Sequence, residues 1–186
     1  MSFGSLWLAV VASAVAVWIL SAVLHMVLKY HRADYKPLAD EAAVGDALRK
    51  AAPAPGLYMM PYCTDGSQMK DPAVIKKFED GPIAMVTVMR NGRPAMGKNL
   101  LQWLLYCFLA SFVAAYVARH TLHPGDDGLL VMRITGAVAF AAYAFGNLQS
   151  SIWAGVPWSN AVRGLIDSVV YSVATGFVFR WLWPAA

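Results

Sequence analysis

The sequence predicts an α-helical membrane protein with four transmembrane helices, the N-terminus outside, and a small α+β cytoplasmic insert between helices one and two. Three observations predict it. Four apolar stretches, residues 6–28, 100–118, 129–148 and 165–183, are separated by polar segments. The hydrophobic fraction is 59% and the charged fraction 14%, against about 45–50% and about 25% in soluble domains. Of the 15 Lys and Arg residues, 11 fall in one segment, residues 29–98.

The first stretch carries no charged residue. At about 1.5 Å per residue it covers about 35 Å, enough for a hydrocarbon core of about 30 Å. It does not read as a secretory signal: Met1–Ser5 has no Lys or Arg, and Lys29, His31 and Arg32 follow the apolar core instead of preceding it. That core also exceeds the roughly 7–15 residues of a signal peptide. The remaining three stretches are near the length of about 20 residues that a span needs. Their few charges, Arg133, Asp167 and Arg180, lie near their ends, where long basic side chains can reach the headgroups.

The chain divides into helix one (1–28), the insert (29–98) and helices two to four (99–186). The basic excess of the insert assigns it to the cytoplasm. Residues 119–128 then form an outer loop and residues 149–163 an inner one. Tyr30, Tyr35, Trp103, Tyr106, Trp153, Trp158, Trp181 and Trp183 fall near the expected helix ends, as interfacial belts require. Ala110, Ala114 and Ala118, then Ala142 and Gly146, then Ser168, Ser172 and Gly176, recur at four-residue spacing. Small residues so spaced let helix backbones approach closely in lipid.

Within the insert, Pro37 leads into an amphipathic helix over 38–51, ended by Pro53, Pro55 and Gly56. Residues 57–62 read as a strand. Asp71-Pro72 starts a second short helix over 73–78, Gly81-Pro82 breaks it, and 83–89 alternates as a second strand. Two strands alone are marginal in water, so this cap is expected to lean on the membrane face or on a partner.

Chemistry is less legible. Met59, Met60, Cys63 and Met69 place soft sulfur ligands close together, a composition that suits Cu(I). Strand alternation sends Met59 and Met60 to opposite faces, and methionine is ordinary core filler, so no metal or cofactor is expected. Cys63 and Cys107 fall in different environments and predict no disulfide. His120 and His123 stand near Asp126 and Asp127 in the outer loop, where a solvated role is the simpler reading. No zinc spacing, nucleophile elbow, P-loop or dinucleotide fingerprint occurs. The net charge of +4 comes from an insert that also holds eight of the eleven acidic residues, so no nucleic-acid partner is expected.

The polar set of most interest gathers at the inner face: His25 from helix one, Asn147 and Gln149 from helix three, Arg163 and Asp167 from helix four. Ionisable groups in a span are functional candidates. Arg163 and Asp167 are four residues apart and are expected to pair, which offers the plainer reading of a neutralised headgroup-zone carboxylate. Trp153 and Trp158 bracket a Gly-Val-Pro turn, as a lid over a lipid or small-molecule pocket or as a Trp-anchored surface loop.

Several stretches carry a resemblance: Ala33-Asp34-Tyr35-Lys36-Pro37-Leu38, Gly56-Leu57-Tyr58-Met59, Asp80-Gly81-Pro82-Ile83-Ala84, Ser151-Ile152-Trp153-Ala154-Gly155-Val156-Pro157-Trp158 and Trp181-Leu182-Trp183-Pro184. Over most of its length the chain resembles a group of small uncharacterised four-helix bacterial inner-membrane proteins. The resemblance implies a multi-pass protein of the bacterial cytoplasmic membrane. It implies no activity and transfers no functional residue.

The leading expectation is a non-enzymatic integral inner-membrane protein, an accessory or assembly subunit of a larger membrane complex. Its partners would be the lipid bilayer and other membrane subunits or further copies of itself. The alternative is a small transporter or a lipid- or small-molecule-binding protein that uses the inner polar set. An enzyme acting on a lipid rests only on that same set.

Overall fold

A computed structural model describes residues 3–51 and 53–186. Met1 and Ser2, at the start of the expected first span, and Ala52 lie outside the described residues. The chain forms two compact units, Met1–Tyr35 with Ala95–Ala186, and Lys36–Pro94.

In the first unit, four helices are long and apolar enough to cross a membrane: Trp7–Val27, Met96–Thr121, Gly128–Trp153 and Trp158–Trp181. The first comprises an α-helical part, α1 (Trp7–Ala22), and a π-helical turn, Val23–Val27. With α2 (Glu41–Ala51) and α3 (Pro72–Asp80) in the second unit, the other three are α4 (Met96–Thr121), α5 (Gly128–Trp153) and α6 (Trp158–Trp181). Contacts run α1 to α4, α4 to α5, α5 to α6 and α6 back to α1, so the helices close a ring.

The helices extend beyond the apolar stretches. Polar residues such as Lys98, Asn99, Arg119 and His120 continue α4 at both ends. The expected inner loop 149–163 shrinks to Ala154–Pro157, because α5 runs on to Trp153 and α6 starts at Trp158. The turn is made by Gly155, whose φ of 66° suits a residue without Cβ, and by Pro157 at the N-cap of α6. Trp153 and Trp158 are therefore helix-terminal residues that flank a short turn, Ala154–Pro157.

The interior is built from small residues. Ala110, Ala114, Ala118, Ser168, Ser172 and Gly176 are all buried, whereas Leu8, Ile19, Leu105, Leu109, Val169 and Phe177 face outward. Small residues inside and large apolar ones outside is the distribution that suits helices packed in lipid. At the tightest point a Cβ on Gly176 would stand 2.7 Å from the Met132 carbonyl oxygen, and one on Gly136 would stand 3.2 Å from that of Ser172. The expected stripe on α5 fails in part: Ala142 is half-buried and Gly146 exposed, with open space beyond its Cα. Two buried hydroxyls return to their own helices, Ser13 to the Ala9 carbonyl at 2.7 Å and Thr135 to that of Val131 at 2.8 Å.

Between α4 and α5, Asp127 caps α5 by accepting from the Leu129 and Leu130 amides at 3.0 and 3.1 Å. The C-terminal segment closes the same turn: Trp183 Nε1 donates to the His123 carbonyl at 3.0 Å, and the Gly125 amide to that of Pro184 at 3.0 Å.

The second unit holds α2 (Glu41–Ala51), β1 (Gly56–Met60), α3 (Pro72–Asp80) and β2 (Ala84–Val88). The strands pair antiparallel, from Gly56 opposite Val88 to Met60 opposite Ala84. In β2, Ala84, Val86 and Val88 are half-buried and Met85 and Thr87 exposed, as alternation predicts. The helix expected over 38–51 starts at Glu41 because the Asp40 carboxylate accepts from the Ala43 amide at 2.8 Å. Asp71 does the same for Ala73 at 2.8 Å, with Pro72 in the first turn. β1 stops at Met60, before Pro61, which has no amide hydrogen to donate.

Candidate functional site

The site begins where α1 loses its regular spacing. In the π-helical turn the Leu28 amide bonds to the Val23 carbonyl at 3.1 Å, a distortion that recurs at functional sites. Lys29 then adopts a left-handed conformation, with φ of 47°. A 3-10 turn, Tyr30–Asp34, follows and folds against α6. The reversal stacks the His25 and His31 rings face to face, with centroids 4.1 Å apart and planes within 6°.

From the other side, α6 presents Asn160, Arg163 and Asp167 at spacings of three and four, on one face. Asp167 is only 4% exposed. Its Oδ1 accepts from the Tyr30 hydroxyl. Its Oδ2 faces His31 Nε2 at 2.8 Å and His25 Nε2 at 3.7 Å. The far nitrogen of each ring is also held. His31 Nδ1 lies 2.6 Å from Asp34 Oδ2, and His25 Nδ1 donates to the Ser21 carbonyl at 3.0 Å. Asp34 Oδ1 accepts from Arg163 Nε at 2.5 Å, its carbonyl accepts from Asn160 Nδ2 at 3.1 Å, and Arg163 Nη2 donates to Asn160 Oδ1 at 3.1 Å. Burial pushes the Asp34 carboxyl up, but the hydrogen bonds from His31 and Arg163 outweigh it and hold Asp34 below its ordinary value.

The Arg163–Asp167 pair expected from four-residue spacing is not made. Arg163 turns to Asp34 and Asp167 to Tyr30, His31 and His25, because the 3-10 turn brings both a carboxylate and an imidazole within reach of α6.

This cluster stands at the edge of a cavity of about 830 Å³ between the four long helices. Trp103, Tyr143 and Tyr171 supply aromatic walls, with the two tyrosine rings edge to face at 5.3 Å. Trp103 is fixed by donating from Nε1 to Ser21 Oγ at 2.7 Å, and Trp18 Nε1 donates to the Leu100 carbonyl at 3.1 Å, locking α1 to α4. Trp103, read from the sequence as part of an interfacial belt, also lines the cavity. Among the described residues the buried Tyr171 hydroxyl has no hydrogen-bond partner, and that of Tyr143 has only the weakly bonding Cys107 thiol beside it.

Of the residues singled out in the sequence, His25, Arg163 and Asp167 come together. Asn147 lines the cavity, its amide donating to the Tyr143 carbonyl at 3.1 Å. Gln149, Trp153 and Trp158 are exposed and stand outside the cavity lining. In the second unit, Met59 and Met60 lie on β1, and Cys63 Sγ is 4.0 Å from Met69 Sδ. Cys63 and Cys107 are free thiols. His120 Nδ1 lies 2.8 Å from the Tyr116 carbonyl oxygen, and the exposed His123 is 4.0 Å from Asp126. Sequence reasoning passed over Tyr30, His31 and Asp34. The available signal was the His-x-x-Asp spacing directly after the first span, which one 3-10 turn brings to a single side.

Compared with known proteins, the chain matches no family model, no curated protein and no solved structure.

Proposed function

We propose that the chain is a four-span integral membrane protein that binds a small organic ligand in the cavity between its long helices, as a ligand-binding protein or small transporter. The observation that carries this reading is the cavity of about 830 Å³, walled by Trp103, Tyr143 and Tyr171 and edged by the His25, His31 and Asp167 cluster. Apolar walls with a few convergent polar groups are the usual composition of a small-molecule site. The partnerless Tyr171 hydroxyl offers a donor inside it. The ligand that fits has an apolar body and a hydrogen-bonding group.

The basic excess of residues 29–98 supports a cytoplasmic second unit, and the cavity edge then opens on that side, since the chain leaves and re-enters the bundle there. The accessory-subunit reading rests on missing motifs and on the small size of the insert, and the cavity favours the ligand reading over it.

The test is native mass spectrometry of the full chain after mild extraction, beside Trp103→Ala. A discrete bound molecule that is retained by the wild type and lost from the variant supports the proposal. Bulk lipid alone, identical in both proteins, refutes it. Migration with other subunits on a native gel, with the cavity carrying only bulk lipid, returns the argument to the accessory reading.

A further inference from the structure

We infer that His25, His31 and Asp167 form a binding site for one divalent transition-metal ion at the edge of the cavity. The ligand atoms of these three residues lie within 4.8 Å of one another. Two ligands of a single ion, each bonded at about 2.1 Å, stand at most about 4.2 Å apart. To close the set, His25, whose side chain is 49% exposed, turns out of its parallel stack on His31 so that both ring planes meet at the ion.

The outer contacts point the same way. Each histidine is held through Nδ1, by the Ser21 carbonyl for His25 and by the Asp34 carboxylate for His31. Such partners fix the tautomer that leaves the Nε2 lone pair available. Both Nε2 atoms face the same oxygen, Asp167 Oδ2. The other oxygen of Asp167 is occupied by the Tyr30 hydroxyl, which orients the carboxylate, and Arg163 in turn anchors Asp34. His31 supplies an inventory argument. A neutral imidazole has one N–H, yet both its nitrogens face carboxylate oxygens. A cation shared between Nε2 and Asp167 satisfies the second contact while Nδ1–H serves Asp34. Two imidazoles and one carboxylate suit Zn(II), Fe(II), Co(II) or Mn(II) over Cu(I) or Ca(II). Three protein ligands leave coordination positions free, and the cavity borders them.

The inference concerns the same cavity edge as the proposed ligand site but needs no organic ligand. Its test uses the full, tag-free chain in mild detergent, stripped with chelator and titrated with Co(II). One Co(II) per chain, with visible d–d absorption and displacement by Zn(II), is expected. His25→Ala, at a half-exposed position, and Asp167→Asn are each expected to abolish that absorption. Asp34→Asn is expected to weaken binding by about 10–100-fold, as losses of outer-shell partners do. A wild-type chain that binds no stoichiometric Co(II), or binding unchanged in both His25→Ala and Asp167→Asn, overturns the inference. Native mass spectrometry separates the two claims. Organic ligand without metal overturns only the metal site, and metal without organic ligand overturns only the ligand-binding reading.

Discussion

Arg163 Nε donates to Asp34 Oδ1 at 2.5 Å, joining the 3-10 turn after the first long helix to the beginning of α6. The two side chains are only 20% and 16% exposed, so the pair is shielded from water far more than a surface ion pair is. Asp34→Asn or Arg163→Gln is expected to lower stability by about 1.5–3 kcal/mol, the range for hydrogen bonds to charged groups. The double variant should lose less than the sum, because each single change leaves the other charge unpaired. Unfolding of the four proteins in one detergent measures this, and additivity within about 0.5 kcal/mol would show that the pair is not coupled.

Apolar runs made the four long helices legible, since a span must satisfy its backbone internally and present a long apolar surface. The strands and helices of the second unit were legible from Pro and Gly punctuation and from the Asp71-Pro72 start. Helix ends were not, because polar residues at 98–99 and 119–121 are as helical as the apolar ones between them. The site was half legible. His25 and Asp167 stand out as ionisable residues within spans, but the hydrogen-bond partners of Asp167, Tyr30 and His31, come from the turn after the first span. Those became partners only through the π-helical turn and the left-handed Lys29, backbone features with no Gly or Pro to announce them. Charge spacing on one helix therefore suggested Arg163 as the partner of Asp167, where tertiary contacts supplied Tyr30 and His31.

The approach of α5 to α6 depends on a missing Cβ. Gly176→Ala would put a methyl group 2.7 Å from the Met132 carbonyl oxygen, a backbone atom that moves only with its helix. A loss of about 1–3 kcal/mol is expected, the usual range for overpacking. Gly146→Ala is the internal control. That glycine is helical, with open space at its Cα, so the same change there should stabilise by about 0.5–1 kcal/mol. Equal effects at the two positions would show that helix propensity, and not close packing, governs both.

The start of α5 depends on Asp127, which accepts from two backbone amides, Leu129 at 3.0 Å and Leu130 at 3.1 Å. Asp127→Ala leaves both without that acceptor and is expected to cost about 1 kcal/mol, whereas Asp127→Asn should retain most of the stability. Thermal unfolding of the three proteins reads this directly. If Ala and Asn cost the same, the contribution of Asp127 comes from its charge near the helix N-terminus and not from the cap.

The two free thiols give a test of orientation without added labels. Cys63 lies in the second unit and is partly exposed, while Cys107 is fully buried on α4. With the second unit in the cytoplasm, a membrane-impermeant maleimide should leave intact bacterial spheroplasts unlabelled and should label inverted membrane vesicles at one thiol per chain. Cys63→Ser should abolish that signal in the vesicles, and Cys107 should react only after unfolding. Labelling of Cys63 in intact spheroplasts would place residues 36–94 outside and reverse every helix. The orientation drawn from 11 of the 15 basic residues would then be wrong, and the cavity edge with His25, His31 and Asp167 would open to the exterior.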